Sequence, residues 1–373
     1  MRIKDICSSV TDGSHNPPQG IFYSDYMMLS SKNIFDDEIT FEEPRFLSEE
    51  DFERENRRTK ISEGDVLLTI VGTVGRTAVV DSNMPAFTLQ RSVAVLHPRK
   101  DICSGRFLMY ALRGKRSYIE NRAKGVAQKG IYLGEVANID IHIPDKTEQA
   151  LIIDKLDKVC NIIRFRQQEL ADLDDLIKVR FVESFGDRYV NDKNWDTTKL
   201  GESISFNNGK AHEQVVDENG EYILVTSRAI ASDFEDVRRT NTLLFPLHKN
   251  DIVMVMSDVP NGKALAKCQL IDSDDKYTLN QRICSFANYE YNPIFLLHLL
   301  NRHPYFLSFN DGYGQTNLRK NDILECELIV PPMELQEQFA DFVHQVDKSK
   351  VVVRKALDET QLLFDSLMQQ YFG

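Results

Sequence analysis

Between residues 99 and 129 there are nine lysines and arginines against only Asp101 and Glu120, a local net charge of +7. Ammonium and guanidinium groups at this density can hold phosphates. Lys115, Arg116, Arg122 and Lys124 are the expected contacts, fixing a polyanionic backbone without reading its sequence. Arg76, Gln128 and Tyr132 in the first half, with Lys263, Gln315, Asn317 and Arg319 in the second, are candidate base-edge readers. Arg pairs naturally with guanine, and Asn or Gln with adenine. The second half has no equal basic run: residues 293–321 hold Arg302, Arg319 and Lys320 against Asp311, so its polar readers must carry more. Residues 36–55 contain ten acidic and two basic side chains, a net of -8, and are expected to point away from any duplex.

Other chemistry is mostly excluded. Gly72-Thr73-Val74-Gly75-Arg76 lacks the G-x-x-x-x-G-K-[ST] spacing of a phosphate loop and reads as a tight turn between strands. His298 and His303 are five apart, which does not put both on one helix face, and no cysteine cluster completes a metal site. There is no G-x-S-x-G or H-E-x-x-H segment, so no catalytic residue and no bound metal is expected. Asn16-Pro17-Pro18-Gln19 resembles the Asn-Pro-Pro-aromatic motif of adenine-N6 methyltransferases. Gln19 replaces the ring that would stack on a flipped base, and no glycine-rich turn for adenosylmethionine accompanies it. With 373 residues, 42% of them hydrophobic, the chain can bury more than one core, which excludes disorder and disulfide scaffolds. Its net charge of -12 argues against an unspecific coat on nucleic acid, so any such contact is local. Six scattered cysteines without C-x-x-C spacing suit a reducing cytoplasm, and no apolar run nears the roughly 20 residues of a membrane span, so a soluble protein is expected.

The elements that position these residues come in two copies. At an offset of 187, Gln128 matches Gln315, Pro144 matches Pro331, Gln149 matches Gln336, Leu170 matches Leu357 and Phe185-Gly186 matches Phe372-Gly373. Upstream the offset drifts: Gly64-Asp65-Val66 answers Asn250-Asp251-Ile252. Gln90-Arg91 and Gln281-Arg282 recur in both halves, which favours a shared structural role. Residues 15–33 have no obvious twin. Ile152, Leu156, Val159, Ile163, Leu170, Leu173 and Ile177 follow a 4-3 spacing interrupted at Arg166. Phe339, Val343, Val346, Val353, Leu357, Phe364 and Leu367 repeat it, interrupted at Lys350 and Thr360. Each stripe predicts a long helix, the first starting near Thr147 and stopped by Gly186, the second starting at Pro331-Pro332. Residues 65–71, 252–256 and the alternating Ile139, Ile141 and Ile143 predict strands. Phe107, Leu108, Ala111 and Leu112 predict a helix, echoed by Phe295, Leu296, Leu299 and Leu300. The expected class is α+β: two similar mixed bodies at 1–145 and 187–332, joined by long helices at 146–186 and 333–373 that form an antiparallel coiled coil with pseudo-twofold symmetry.

Two variable bodies, each followed by a long helix opening on Pro144-Asp145-Lys146-Thr147-Glu148-Gln149 or Pro331-Pro332-Met333-Glu334-Leu335-Gln336, resemble the specificity subunit of type I restriction-modification systems. Asp12-Gly13-Ser14-His15-Asn16-Pro17, Ser31-Lys32-Asn33-Ile34 and Asn261-Gly262-Lys263 add to the likeness, which covers the whole chain. The resemblance implies two target recognition domains, each reading one half of a split, asymmetric site in double-stranded DNA. It implies a non-catalytic subunit that recruits methyltransferase and restriction/translocase subunits, to which S-adenosylmethionine, ATP and magnesium would belong. Two other classes stay open at this point: an N6-adenine DNA methyltransferase-like enzyme using Asn16-Pro17-Pro18, and a coiled-coil scaffold that binds only proteins.

Overall fold

Two short aliphatic runs, Val66–Thr69 and Ile252–Val255, are buried at every position, the pattern of strands covered on both faces. Alternate residues enter different cores, as a two-residue period requires. Val66 and Leu68 point into one cluster and Leu67 into another. Ile252 and Met254 separate in the same way from Val253 and Val255. The computed structural model describes residues 1–125, 129–212, 216–260 and 262–373. It divides into two units, Met1–Gln167 with Lys355–Gly373, and Gln168–Arg354.

Each unit builds the same sheets. In the first, Cys7–Asp12, Val93–Pro98, Val66–Thr69 and Thr77–Val79 form an antiparallel sheet in that spatial order. In the second, Ser205–Asn208, Ile283–Ala287, Ile252–Val255 and Cys268–Leu270 do so. A three-stranded sheet accompanies each. Met27–Leu29 runs antiparallel to Arg45–Phe46 and parallel to Phe87–Leu89. Tyr222–Val225 runs antiparallel to Arg238–Thr240 and parallel to Tyr277–Leu279. Within the 15–33 stretch, Met27–Leu29 therefore does have a counterpart in Tyr222–Val225, hidden because strand pairing is kept while side chains are not.

The two sheets of each unit meet at a glycine. The Gly13 N–H donates to Val93 O at 3.2 Å and the Gly209 N–H to Ile283 O at 3.0 Å. A Cβ on Gly13 would lie 2.0 Å from Leu89 O, and one on Gly209 1.9 Å from Asn280 O, so only glycine permits the approach. This crossing also corrects the register of the Gln-Arg pairs. Arg91 N–H donates to Ser14 O and Gln281 N–H to Lys210 O, both at 2.9 Å, so Arg91 answers Gln281 and Gln90 answers Asn280. The shared role belongs to backbone, with a one-residue shift from the side-chain match.

The long helices span Lys146–Phe185 and Met333–Phe372, 40 residues each. The first ends at Gly186, whose φ of +77° lets its N–H close on Val182 O at 2.8 Å. The expected stripes are buried except at Ile163, Leu170, Leu173, Leu357 and Leu367, which are half-buried. In the first unit, Ile152, Leu156 and Val159 share a core with Phe107, Phe364, Met368 and Phe372. In the second, Phe181 packs on Phe339 with ring centroids 5.4 Å apart, and Lys350 Nζ reaches Asp174 at 2.6 Å. Those two contacts make this stretch of the helices antiparallel. Gln149 and Gln336 join each helix start to its body. Gln149 Nε2 donates to Ile102 O at 2.9 Å and Pro144 O at 3.0 Å. Gln336 Nε2 donates to Pro331 O at 2.8 Å, while its Oε1 accepts the Asn292 N–H at 2.9 Å. The strand expected at Ile139, Ile141 and Ile143 is reduced to one bridge, Arg2 with Asp140. Its counterpart Glu327–Ile329 is a full strand beside Thr197–Lys199.

Candidate nucleic-acid interface

In the first unit the turn at residues 70–76 is indeed a link between strands. Gly75 N–H donates to Thr69 O and Arg76 N–H to Thr69 Oγ1, both at 2.9 Å. A second segment folds beside it: Gly72 N–H donates to Lys129 O at 3.0 Å and Ile131 N–H to Ile70 O at 2.9 Å. Lys124 and Gly130 exchange both backbone hydrogen bonds, at 2.8 and 2.9 Å. Lys124 and Tyr132 are exposed, Tyr132 at 73%. Arg122 is exposed and lies over the Tyr118 ring at 4.7 Å. Lys115 is half-buried, its N–H capping the Gly105–Gly114 helix. Gln128 lies outside the described residues.

Two expected contacts are turned inward. Arg116 pairs with Asp36 and donates from Nε to Gly75 O at 3.1 Å. Arg76 is half-buried with its guanidinium 4.8 Å from the Phe35 ring centre. The acidic run does not simply point away either. Asp37 pairs with both Arg106 and Arg164, and its side chain is 5% exposed. Arg106 Nε also donates to Asp157 at 2.8 Å. The first two carboxylates of the run thus pair with Arg106 and Arg116, which a count along the chain treats as available.

The second unit makes the same loop pair. Ser257–Asp258 is antiparallel to Thr316–Asn317, and Leu318 N–H donates to Met256 O at 2.8 Å. This pairing brings the loop carrying Lys263 beside the segment carrying Gln315, Asn317 and Arg319, and all four side chains are exposed. Asp258 braces its own loop, accepting N–H groups of Val259 at 2.8 Å, Ala264 at 2.7 Å and Leu265 at 3.1 Å. Tyr313 also belongs to this surface at 93% exposure and was not among the expected residues. Its signal in the sequence is an aromatic between two glycines, Gly312 and Gly314.

Among the described residues, no three His, Cys, Asp or Glu side chains are grouped to hold a metal ion. All six cysteines are buried, and burial pushes the Cys7 and Cys103 thiols up to about 12. The Asn16-Pro17-Pro18 segment is fastened to a sheet edge: Arg45 donates to Pro18 O at 2.8 Å and Ile21 N–H to Phe46 O at 2.9 Å. Among the described residues no helix is long and apolar enough to cross a membrane.

The two copies of one sheet plan and one loop pair have counterparts in known proteins. The family described as Type I restriction modification DNA specificity domain matches residues 1–174 and again 192–359. The chain belongs to this family. Its members are described by DNA specificity, a recognition role and not a catalytic one. The type I restriction enzyme EcoBI specificity subunit of Escherichia coli is 27% identical over 129 residues, 34% of this chain. That match spans about a quarter of the curated relative, 27% of its length. The S subunit of a type I restriction-modification system from M. genitalium has the same fold at a TM-score of 0.53 and 14% identity, over 100% of this chain and 95% of that one. A chain solved in work on complex assembly and conformational transition of the type I R-M system gives 0.58 and 14%, over 100% and 96%.

Proposed function

We propose that this chain is the DNA-recognition subunit of a type I restriction-modification complex and reads a split, asymmetric site. The bodies at 1–145 and 187–332 each take one half-site. The helices at 146–186 and 333–373 form an antiparallel, pseudo-twofold coiled coil that sets the interval between them. Spacing along the duplex then becomes part of specificity, because two engagements made through a stiff link depend on their separation. Methyltransferase subunits and restriction/translocase subunits assemble on it in the cytoplasm and bring S-adenosylmethionine, ATP and magnesium. The observation that carries this reading is the double match to the specificity family, one per half.

Within the bodies, Lys115, Arg122 and Lys124 contact phosphates. Tyr132, Gln128, Lys263, Gln315, Asn317 and Arg319 contact base edges. Arg116 and Arg76 reach DNA only by giving up their protein partners, so their contribution is smaller. The test is methylome sequencing of a host carrying this chain together with type I methyltransferase subunits against one lacking the chain. A bipartite adenine-methylated motif with a fixed spacer is the expected result. Methylation at an uninterrupted motif, or none with the partner present, would overturn the proposal.

A further inference from the structure

A single exposed aromatic is ordinary on a protein surface, so the case for any one of them rests on how it is held and what surrounds it. The backbone of Tyr313 is tied into a hydrogen-bonded turn. Asp311 Oδ1 accepts the N–H groups of Tyr313 at 3.0 Å and Gly314 at 3.4 Å. Asn310 Oδ1 accepts the Gly312 N–H at 3.0 Å and the Thr316 hydroxyl at 3.2 Å, tying the turn to the paired Thr316–Asn317 strand. Behind the turn, the Phe309 ring packs against Tyr305 at 5.5 Å. The whole loop is braced, and its one large side chain projects into solvent at 93% exposure.

The polar fringe narrows the occupant. Tyr313 shares its loop pair with the exposed Lys263, Gln315, Asn317 and Arg319, while the Asp258 and Asp311 carboxylates, still anionic, accept backbone N–H groups. Phe22, fully exposed in the first unit, is the contrasting case. Its loop is fastened to Arg45 and Phe46, inside the 36–55 stretch of net charge -8, where a polyanion is repelled. An exposed aromatic on a hydrogen-bonded turn, fringed by Lys263, Arg319 and two amides, suits a groove of nucleic acid, where rings can enter a base step and favour sequences that unstack readily.

We propose that Tyr313 is a specificity-determining residue of the second body, an aromatic wedge that enters a base step of one half-site. This rests on the DNA-recognition reading above. The ring supplies the contact and the hydroxyl does not, so Tyr313→Phe keeps function while Tyr313→Ala loses it. The experiment uses the full chain coexpressed with its methyltransferase subunits, first by methylome sequencing and then by competition binding to duplexes carrying the wild-type motif. Tyr313→Ala should relax base preference in one half of the motif, leave the other half and the spacer intact, and weaken cognate binding about tenfold. Its thermal midpoint should match wild type, as the side chain covers nothing. An unchanged motif and affinity would sink the wedge, as would an equal loss on cognate and unrelated duplexes or loss of the methyltransferase subunits with the motif intact. A wild-type complex that gives no bipartite motif instead sinks the recognition reading, so the two failures are distinguishable.

Discussion

A buried amide side chain is costly unless each of its polar atoms is used, and Gln336 uses both ends while only 2% exposed. Gln336→Leu fits the volume but leaves the Asn292 N–H and Pro331 O facing an apolar group. The expected loss is about 3 kcal/mol in unfolding free energy, read from urea denaturation of the full chain. The repeat of Gln149 and Gln336 is visible in the sequence as spacing. Their task is not, because the partners Ile102 and Asn292 lie 47 and 44 residues upstream. The same limit governs the basic run. Arg116 looks available until Asp36, 80 residues earlier, is brought to it by folding. Lys124, Asn317 and Arg319 sit on loops and are exposed, which is as much as a local reading of the sequence anticipates.

Elements with a strong period are read almost to the residue. The first long helix begins at Lys146 where Thr147 is expected, and Gly186 ends it. Strands three to four residues long offer too little period, which is why the Met27–Leu29 pairing escapes detection and the 139–143 strand is overcalled. What no periodicity reveals is the turn at Asp36-Asp37 that fastens a hairpin, Ile34–Phe35 with Glu38–Ile39, to the first long helix. Asp37 sits at a left-handed φ of +63°, and asparagine tolerates that conformation, so Asp37→Asn removes charge without straining backbone. Arg106 and Arg164 then lose their shared anion. Because Arg164 is half exposed, the expected cost is about 1–3 kcal/mol and not the full price of a buried pair. A thermal melt of the full chain should show the drop, and 1 M salt should narrow the gap from wild type.

At the scale of the molecule, stability is expected to depend on pH through the second unit. His303 is 1% exposed and its Nδ1 accepts the Tyr305 N–H at 3.2 Å. Burial, aided by the Arg188 guanidinium, pulls this imidazole down from 6.5 to about 4. The unfolded chain therefore binds a proton that the folded one refuses between those values. The stabilisation is complete above pH 6.5 and is lost as pH falls toward 4, roughly 2 kcal/mol by pH 5. Urea unfolding at pH 7 and pH 5 measures it, and His303→Asn, which keeps an acceptor for Tyr305, should show a smaller pH difference than wild type.

The core of the first unit takes Phe364, Met368 and Phe372 from the far end of the second long helix, with the Phe372 ring 5.4 Å from Phe107 and Phe364 6.5 Å from Tyr110. A ribosome that has released Tyr110 must still add about 250 residues before Phe364 emerges, on the order of ten to fifty seconds of elongation. The body translated first is thus the one whose apolar floor is covered last, and throughout that delay it is the part of the nascent chain most in need of a chaperone.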